Sequence, residues 1–374
     1  MLVRHNGGDL RGAALGALGL VLFACTNATS PTSAGASPAA NFASSRAADL
    51  RTQLDLLLAE HVMIVAKESA GAVNHSDEYS SYTALLTINA TDLTSLMSRA
   101  FGNTAATQVA QAWSIQNGYL VDYAIGVVTH NDDKANGAMS GLVNGFVPQF
   151  AQRIRDVTQL PLDGLVQLVK QQVVGDKAFI DDVFAQRYPT FYKNLHAAYV
   201  QTSRLGDAIA GQTAQKYPDK FPGDPAAQAV DARVTLNLLL QEHSYVATMA
   251  TDAVAAGRAA EKTASAAALA TNADQLRAAF PGSTTGFDKV WAARDAALLA
   301  YASGDGASKP ALTETFVQEF AALERVDNAP VTVQVNAMIK VIDAQRARSS
   351  QALAAADRAA ATAMQPIADS VVQS

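Results

Sequence analysis

A single cysteine, Cys25, stands in a chain of 374 residues, which excludes an internal disulfide and a thiolate metal cage. Clustered Lys and Arg are missing as well. The 28 basic residues are outnumbered by 34 acidic ones, for a formal charge of -6, so no surface is expected to track nucleic-acid phosphates. There is no Gly-x-Ser-x-Gly elbow and no glycine-rich phosphate loop, which leaves nucleophilic catalysis and nucleotide binding without residues. The Glu-x-x-His signature of carboxylate-bridged di-iron bundles is absent. Asn131-Asp132-Asp133-Lys134 lacks the alternating ligands and closing glutamate of an EF-hand loop. Glycine (23) and proline (12) are sparse, and period-two alternation is rare. The remaining composition, led by alanine, leucine and valine, favours helix.

The N-terminus differs from the rest. Arg4 and Arg11 precede an apolar run from Ala13 to Ala24, too short to span a bilayer as a mature helix and of the length of an export signal. The run ends Leu22-Phe23-Ala24-Cys25, which resembles the lipobox of bacterial lipoproteins. That resemblance implies cleavage after residue 24 and lipidation of Cys25. An ordinary cleaved signal with a chance cysteine is the alternative reading. Two or more acyl chains would anchor stably where one is marginal, placing the protein in the cell envelope on the extracytoplasmic side of a membrane. Loss of residues 1–24 makes the formal charge one unit more negative, so the lipid rather than the protein surface would hold it there.

Residues 25–45 then read as the lipidated cysteine and a flexible tether, because a small, polar, proline-punctuated stretch cannot bury enough apolar surface to fold. Twenty such residues reach roughly 25 Å. From about Ala47 the period becomes helical. Leu54, Leu57, Leu58, His61 and Val65 form one stripe with a histidine inside it. The helix is expected to end near Gly71, before a polar turn. A short helix is expected at Thr91–Ala100, with Asn89 or Thr91 as caps, and a longer one at Ala105–Val128. Pro148 should kink or break the segment Asn136–Val157. Helices follow from Leu162 to Tyr188 and on to about Lys216, before Pro218, Pro222, Gly223 and Pro225 mark a boundary.

Beyond that boundary the order recurs. Leu57-Leu58-Ala59-Glu60-His61 returns as Leu239-Leu240-Gln241-Glu242-His243, 182 positions on, and Asn89 returns as Asn272. Trp113, Leu120 and Tyr123 return as Trp291, Leu298 and Tyr301, and Phe146 and Phe150 as Phe316 and Phe320. Ordered matches with slowly shrinking offsets are the signature of a repeat. The expected fold is all-α, with two tandem homologous antiparallel helical bundles over residues 46–221 and 226–374.

Duplication selects the candidate site residues. His61 should face Asn117 across its bundle, and His243 should face Asp295, because a buried imidazole needs a hydrogen-bond partner. His196 could face a core formed with Tyr192, Tyr199, Val200 and Ser203, and the second copy offers Asp357 and Arg358 in that region. Two readings stay open: core histidines satisfied by polar neighbours, and histidines that ligate a metal or cofactor. A metal centre normally needs three or four ligands, and Glu60 and His61, being adjacent, point about 100° apart. His75 and His130 fall in polar turns.

The order Leu-x-x-Glu-His (Leu57–His61), Asn-x-x-Asp (Asn89–Asp92), Phe101-Gly102 and Lys216-Tyr217-Pro218-Asp219-Lys220-Phe221 resembles a bacterial helical-repeat family best represented among Gram-positive spore formers. The likeness covers most of residues 50–221 and, more faintly, 230–370. The family carries further histidines where this chain has Asn117 and Gln171, and no established activity comes with it. Together these readings lead us to expect a lipid-anchored envelope protein that binds or scaffolds without catalysing. The expected partners are the membrane and an envelope protein, with no nucleic acid and no cofactor, and the alternative is a metal- or cofactor-binding bundle.

Overall fold

The structure, a computed structural model, describes residues 44–280 and 286–373. The expected signal sequence 1–24, Cys25 and nearly all of the 25–45 tether lie outside the described residues. The described chain is all-α. The first half consists of α1 (Arg46–Val73), α2 (Glu78–Phe101), α3 (Asn103–Val128), α4 (Asp132–Ser140), α5 (Val147–Thr158), α6 (Leu162–Phe184) and α7 (Tyr188–Lys216). The second consists of α8 (Gln228–Ala255), α9 (Ala259–Ala279), α10 (Phe287–Ala302), α11 (Val317–Glu324), α12 (Asn328–Arg346), α13 (Ser350–Thr362) and α14 (Gln365–Gln373). A π-helical turn joins α4 to α5 at Gly141–Phe146, and another precedes α11 at Ala311–Phe316. In the first half it lies just before Pro148, which can neither donate to residue 144 nor tolerate its carbonyl in an α-helical turn.

Two helices organise the packing. Ser45 caps α1 through Ala48 N at 3.1 Å, and from Leu58 to Ser69 every residue of α1 is buried, as is every residue of α8 from Leu240 to Thr251. A helix buried on all sides belongs inside a larger core. Accordingly α1 packs on α2, α6, α7 and α8, while α8 packs on α9, α10, α12, α13 and α14. Close approach of α7 to α1 requires Gly206, where a Cβ would lie 2.0 Å from Asp55 Oδ1. One hydrophobic cluster runs from Leu50 to Val371.

The halves also exchange contacts at their far ends, since α7 packs on α9 and α13 on α2. The Asp357 carboxylate, on α13 and fully buried, accepts from Tyr82 Oη at 2.9 Å and Thr248 Oγ1 at 2.6 Å and pairs with Lys67 on α1. Arg51 of α1 binds Asp207 at 2.5 Å, the Pro225 carbonyl at 2.7 Å and Asp231, so the proline-rich segment between α7 and α8 is tied down on both sides.

The expected short helix at Thr91–Ala100 is really the last part of α2, which begins at Glu78. Asn89 and Thr91 do not cap it. Thr91 back-bonds to Thr87 O, and Asn89 is buried in mid-helix with its amide spent on α1. The buried face of Tyr82, Leu85, Leu86 and Leu93 decides the helix, overriding the local preference of Asn, Ser and Thr for turns. Among the described residues no helix is long and apolar enough to cross a membrane.

Candidate functional site

Adjacent residues on a helix diverge by about 100°, and the Glu-His pairs of α1 and α8 use that divergence. Each histidine turns into its own half, where the His61 ring meets Trp113 edge-on at 4.8 Å and His243 meets Trp291 at 4.9 Å. Each glutamate turns toward the other half. Glu60 Oε2 accepts from Asn89 Nδ2 at 2.9 Å, and that amide also donates to Leu57 O at 2.9 Å. Glu242 Oε2 accepts from Asn272 Nδ2, which also donates to Leu239 O, both at 3.1 Å.

The remaining partners come from across the molecule. Arg358 of α13 grips Glu60 with two parallel bonds of 3.0 Å and donates to Asp92 at 2.6 Å. Tyr245 Oη adds a bond of 3.1 Å to Glu60 Oε1. In the opposite sense His196 of α7 donates from Nδ1 to Glu242 Oε1 at 2.7 Å, while its Nε2 lies 3.4 Å from the Gln275 amide. Asp92 and Gln275 each stand three residues beyond their asparagine. Each half therefore supplies a nitrogen base or cation to a carboxylate buried in the other. The hydrogen bond to Glu242 raises the His196 pKa above that of a free imidazole, and their charge attraction adds to it against the effect of burial. Burial works against the Arg358 charge, but Glu60 and Asp92 outweigh it and its pKa is raised.

The two histidine cores differ. His243 Nδ1 lies 2.9 Å from Asn272 Oδ1, and Nε2 lies 2.9 Å from Arg294 Nη1. Arg294 also donates to Asp295 at 3.0 Å and to Gln334 at 3.3 Å. The expected neighbours His243 and Asp295 are thus brought together at 3.1 Å, with a fully buried guanidinium beside them that the sequence reading had not included. Burial tends to raise the Asp295 pKa, yet His243 and Arg294 prevail and hold it below the usual carboxylate value.

In the first half Gln116 stands where Arg294 does, and it is too short to bridge. Neither nitrogen of His61 has a hydrogen-bond partner, and neither do Gln116, Gln172 or Asn117 Oδ1. The expected His61–Asn117 bond does not form. Asn117 is only half-buried, and the inward residue is Gln116. Burial alone lowers the His61 pKa to about 3. Consequently His243→Leu is expected to cost about 1–3 kcal/mol through the partners it strands. His61→Leu, which breaks no hydrogen bond, is expected to change stability by less than about 1.5 kcal/mol. Urea denaturation at pH 7 compares them, and equal losses would contradict this account.

Two cavities flank the crossed carboxylates. One of about 260 Å³ is lined by Glu60, Asp92, Arg99 and Arg358. The other, of about 410 Å³, lies among α7, α8 and α9 over His196 and Glu242, with alanine-rich walls. His75 and His130 are exposed, in left-handed backbone at helix ends (φ 49° and 51°). Among the described residues no three His, Cys, Asp or Glu side chains come close enough together to hold a metal ion. Sequence reasoning missed Glu60, Glu242, Asn89, Asn272 and Gln275 as site residues, although the first four recur between the halves. No family model, no curated protein and no solved structure matches this chain.

Proposed function

We propose that this protein is a lipid-anchored, extracytoplasmic, non-enzymatic binding module of the cell envelope, built from two homologous helical bundles and holding its ligand beside His196 and Glu242. The observation that carries the binding reading is the cavity of about 410 Å³ floored by a buried carboxylate paired with a partly exposed imidazole, the combination of apolar walls and a few fixed polar groups typical of small-molecule sites. Both buried glutamates are committed to side-chain partners, which suits clasping and recognition better than turnover.

Homology of the bundles is supported by paired details. Each half has a π-helical turn ending in a phenylalanine that stacks, at 5.2 or 5.3 Å, on a second phenylalanine four residues later. In each half the next helix ends in a left-handed residue, Gln159 or Arg325. The anchor rests on the apolar run before Cys25 and the polar stretch after it. Fractionation of cells expressing Cys25→Ser tests it, with release of the protein from the membrane fraction expected. Retention of that variant in the membrane overturns the lipid anchor.

A further inference from the structure

The two halves treat one position differently. Tyr82 and Leu85 stand seven and four residues before Asn89, and both are buried against α1 and its neighbours. At the same spacings before Asn272 stand Ser265 and Ala268. Ala268, in place of a leucine, lines a cavity of about 410 Å³ at this face of α9, walled also by Leu195, Val246, Ala260, Ala264 and Ala267, while Ser265 is buried away from it. The opposite clasp is closed by Arg358, held by two carboxylates at once. This one carries His196, whose side chain remains about one-third exposed.

The charges at the cavity favour one kind of ligand. Its only carboxylate, Glu242, already accepts from His196 and Asn272. Lys193, exposed at its edge, lies one helical turn before His196 on the same face of α7. Gln275 presents a buried Oε1 without a partner. Among the lining residues Lys193 is thus the charge not already paired inside the protein, and most of the wall is hydrocarbon.

We infer that this cavity binds a small carboxylic acid with an apolar body, its carboxylate received by Lys193 at the His196 edge and its body seated on the alanine face of α9. The inference rests on the binding reading above and adds the ligand class to it. Calorimetric titration of the full chain with octanoate, octanol and octylamine tests it. Octanoate is expected to bind once per chain, at least about tenfold more tightly than either analogue, the worth of one charge-assisted hydrogen bond. Lys193→Ala is expected to remove most of that advantage.

Ala268→Leu restores the kind of side chain found in the other half and is expected to abolish binding, with an unchanged thermal transition as the control for folding. Ala264→Leu serves as a second blocking variant. Arg99→Ala, in the other cavity, is expected to leave binding unchanged. Octanoate binding that survives both blocking variants overturns the site. If octanol or octylamine binds as well as octanoate and is blocked by Ala268→Leu, the carboxylate class fails while the binding reading stands. If none of the three probes binds, both fall.

Discussion

Asp357→Ala is expected to lower the unfolding free energy by about 3–5 kcal/mol, the range found when one partner of a buried ion pair is removed. The carboxylate has no solvent exposure, and Lys67 opposite it is 6 % exposed, so the lysine cannot recover its hydration by a small shift. Tyr82 and Thr248 lose their acceptor in the same step. The four groups come from α1, α2, α8 and α13, so the damage falls on the packing of one half against the other. Urea denaturation of the wild type, Asp357→Ala, Lys67→Met and the double variant measures it. The double variant should recover much of the loss, because an apolar pair leaves no stranded charge. Additive losses would show that the ion pair is not what holds these helices together.

A second large effect depends on pH. Asp176, in the middle of α6, is fully buried and neither carboxyl oxygen has a partner. Burial pushes its pKa up from 3.8 to about 8. The folded state therefore holds a proton that the unfolded chain releases near pH 4, and stability falls as pH rises from about 4 to about 8, by roughly 1.4 kcal/mol per unit. His61 acts in the opposite sense. Its pKa is about 3 when folded against 6.5, so the unfolded chain binds the extra proton and stability rises with pH from about 3 to 6.5. The two nearly cancel between pH 4 and 6.5. Above that only the Asp176 loss remains, while Glu68, which burial raises from 4.5 to about 7 against a hydrogen bond from Thr83, adds its own loss between about pH 4.5 and 7.

Asp176→Asn removes the acid term with little change of shape. Its stability relative to wild type is expected to be close to zero difference at pH 4 and to grow to several kcal/mol in its favour at pH 8. Denaturant titrations at pH 4, 6 and 8 measure the trend. A difference that does not vary with pH would mean that Asp176 is already ionised in the folded protein.

Much of the helical order was legible in the sequence because it rests on composition, proline placement and recurrent spacing. The proline-rich break lies between α7 and α8, and Pro148 follows a distorted turn. The candidate site was legible only in part. His243 with Asp295 could be inferred because both lie within one half, on helices that face each other. The sequence pattern points to Asn117 while the inward residue is its neighbour Gln116, and one residue on a helix is about 100° of rotation, enough to exchange the core for the surface. Along the chain Glu60 and Glu242 register only as residues pointing about 100° away from the histidines. Their burial depends on Arg358 and His196 arriving from the other half, and no local pattern encodes which distant helix supplies a counter-charge. The correspondence of His196 with Arg358 was visible along the chain, but its partner across the interface was not.

The exchange of basic groups between the halves has a consequence for how such a chain can change over time. Deleting the second half would leave Glu60 without Arg358, and deleting the first would leave Glu242 without His196. Each half thus carries an obligation to the other. A drift that weakens one buried carboxylate relaxes selection on a base in the other half, 298 residues away for Glu60 and 46 for Glu242, while neither half can be discarded without stranding an anion in what remains. Crossed partnership works as a ratchet, holding the two halves together as a single heritable unit.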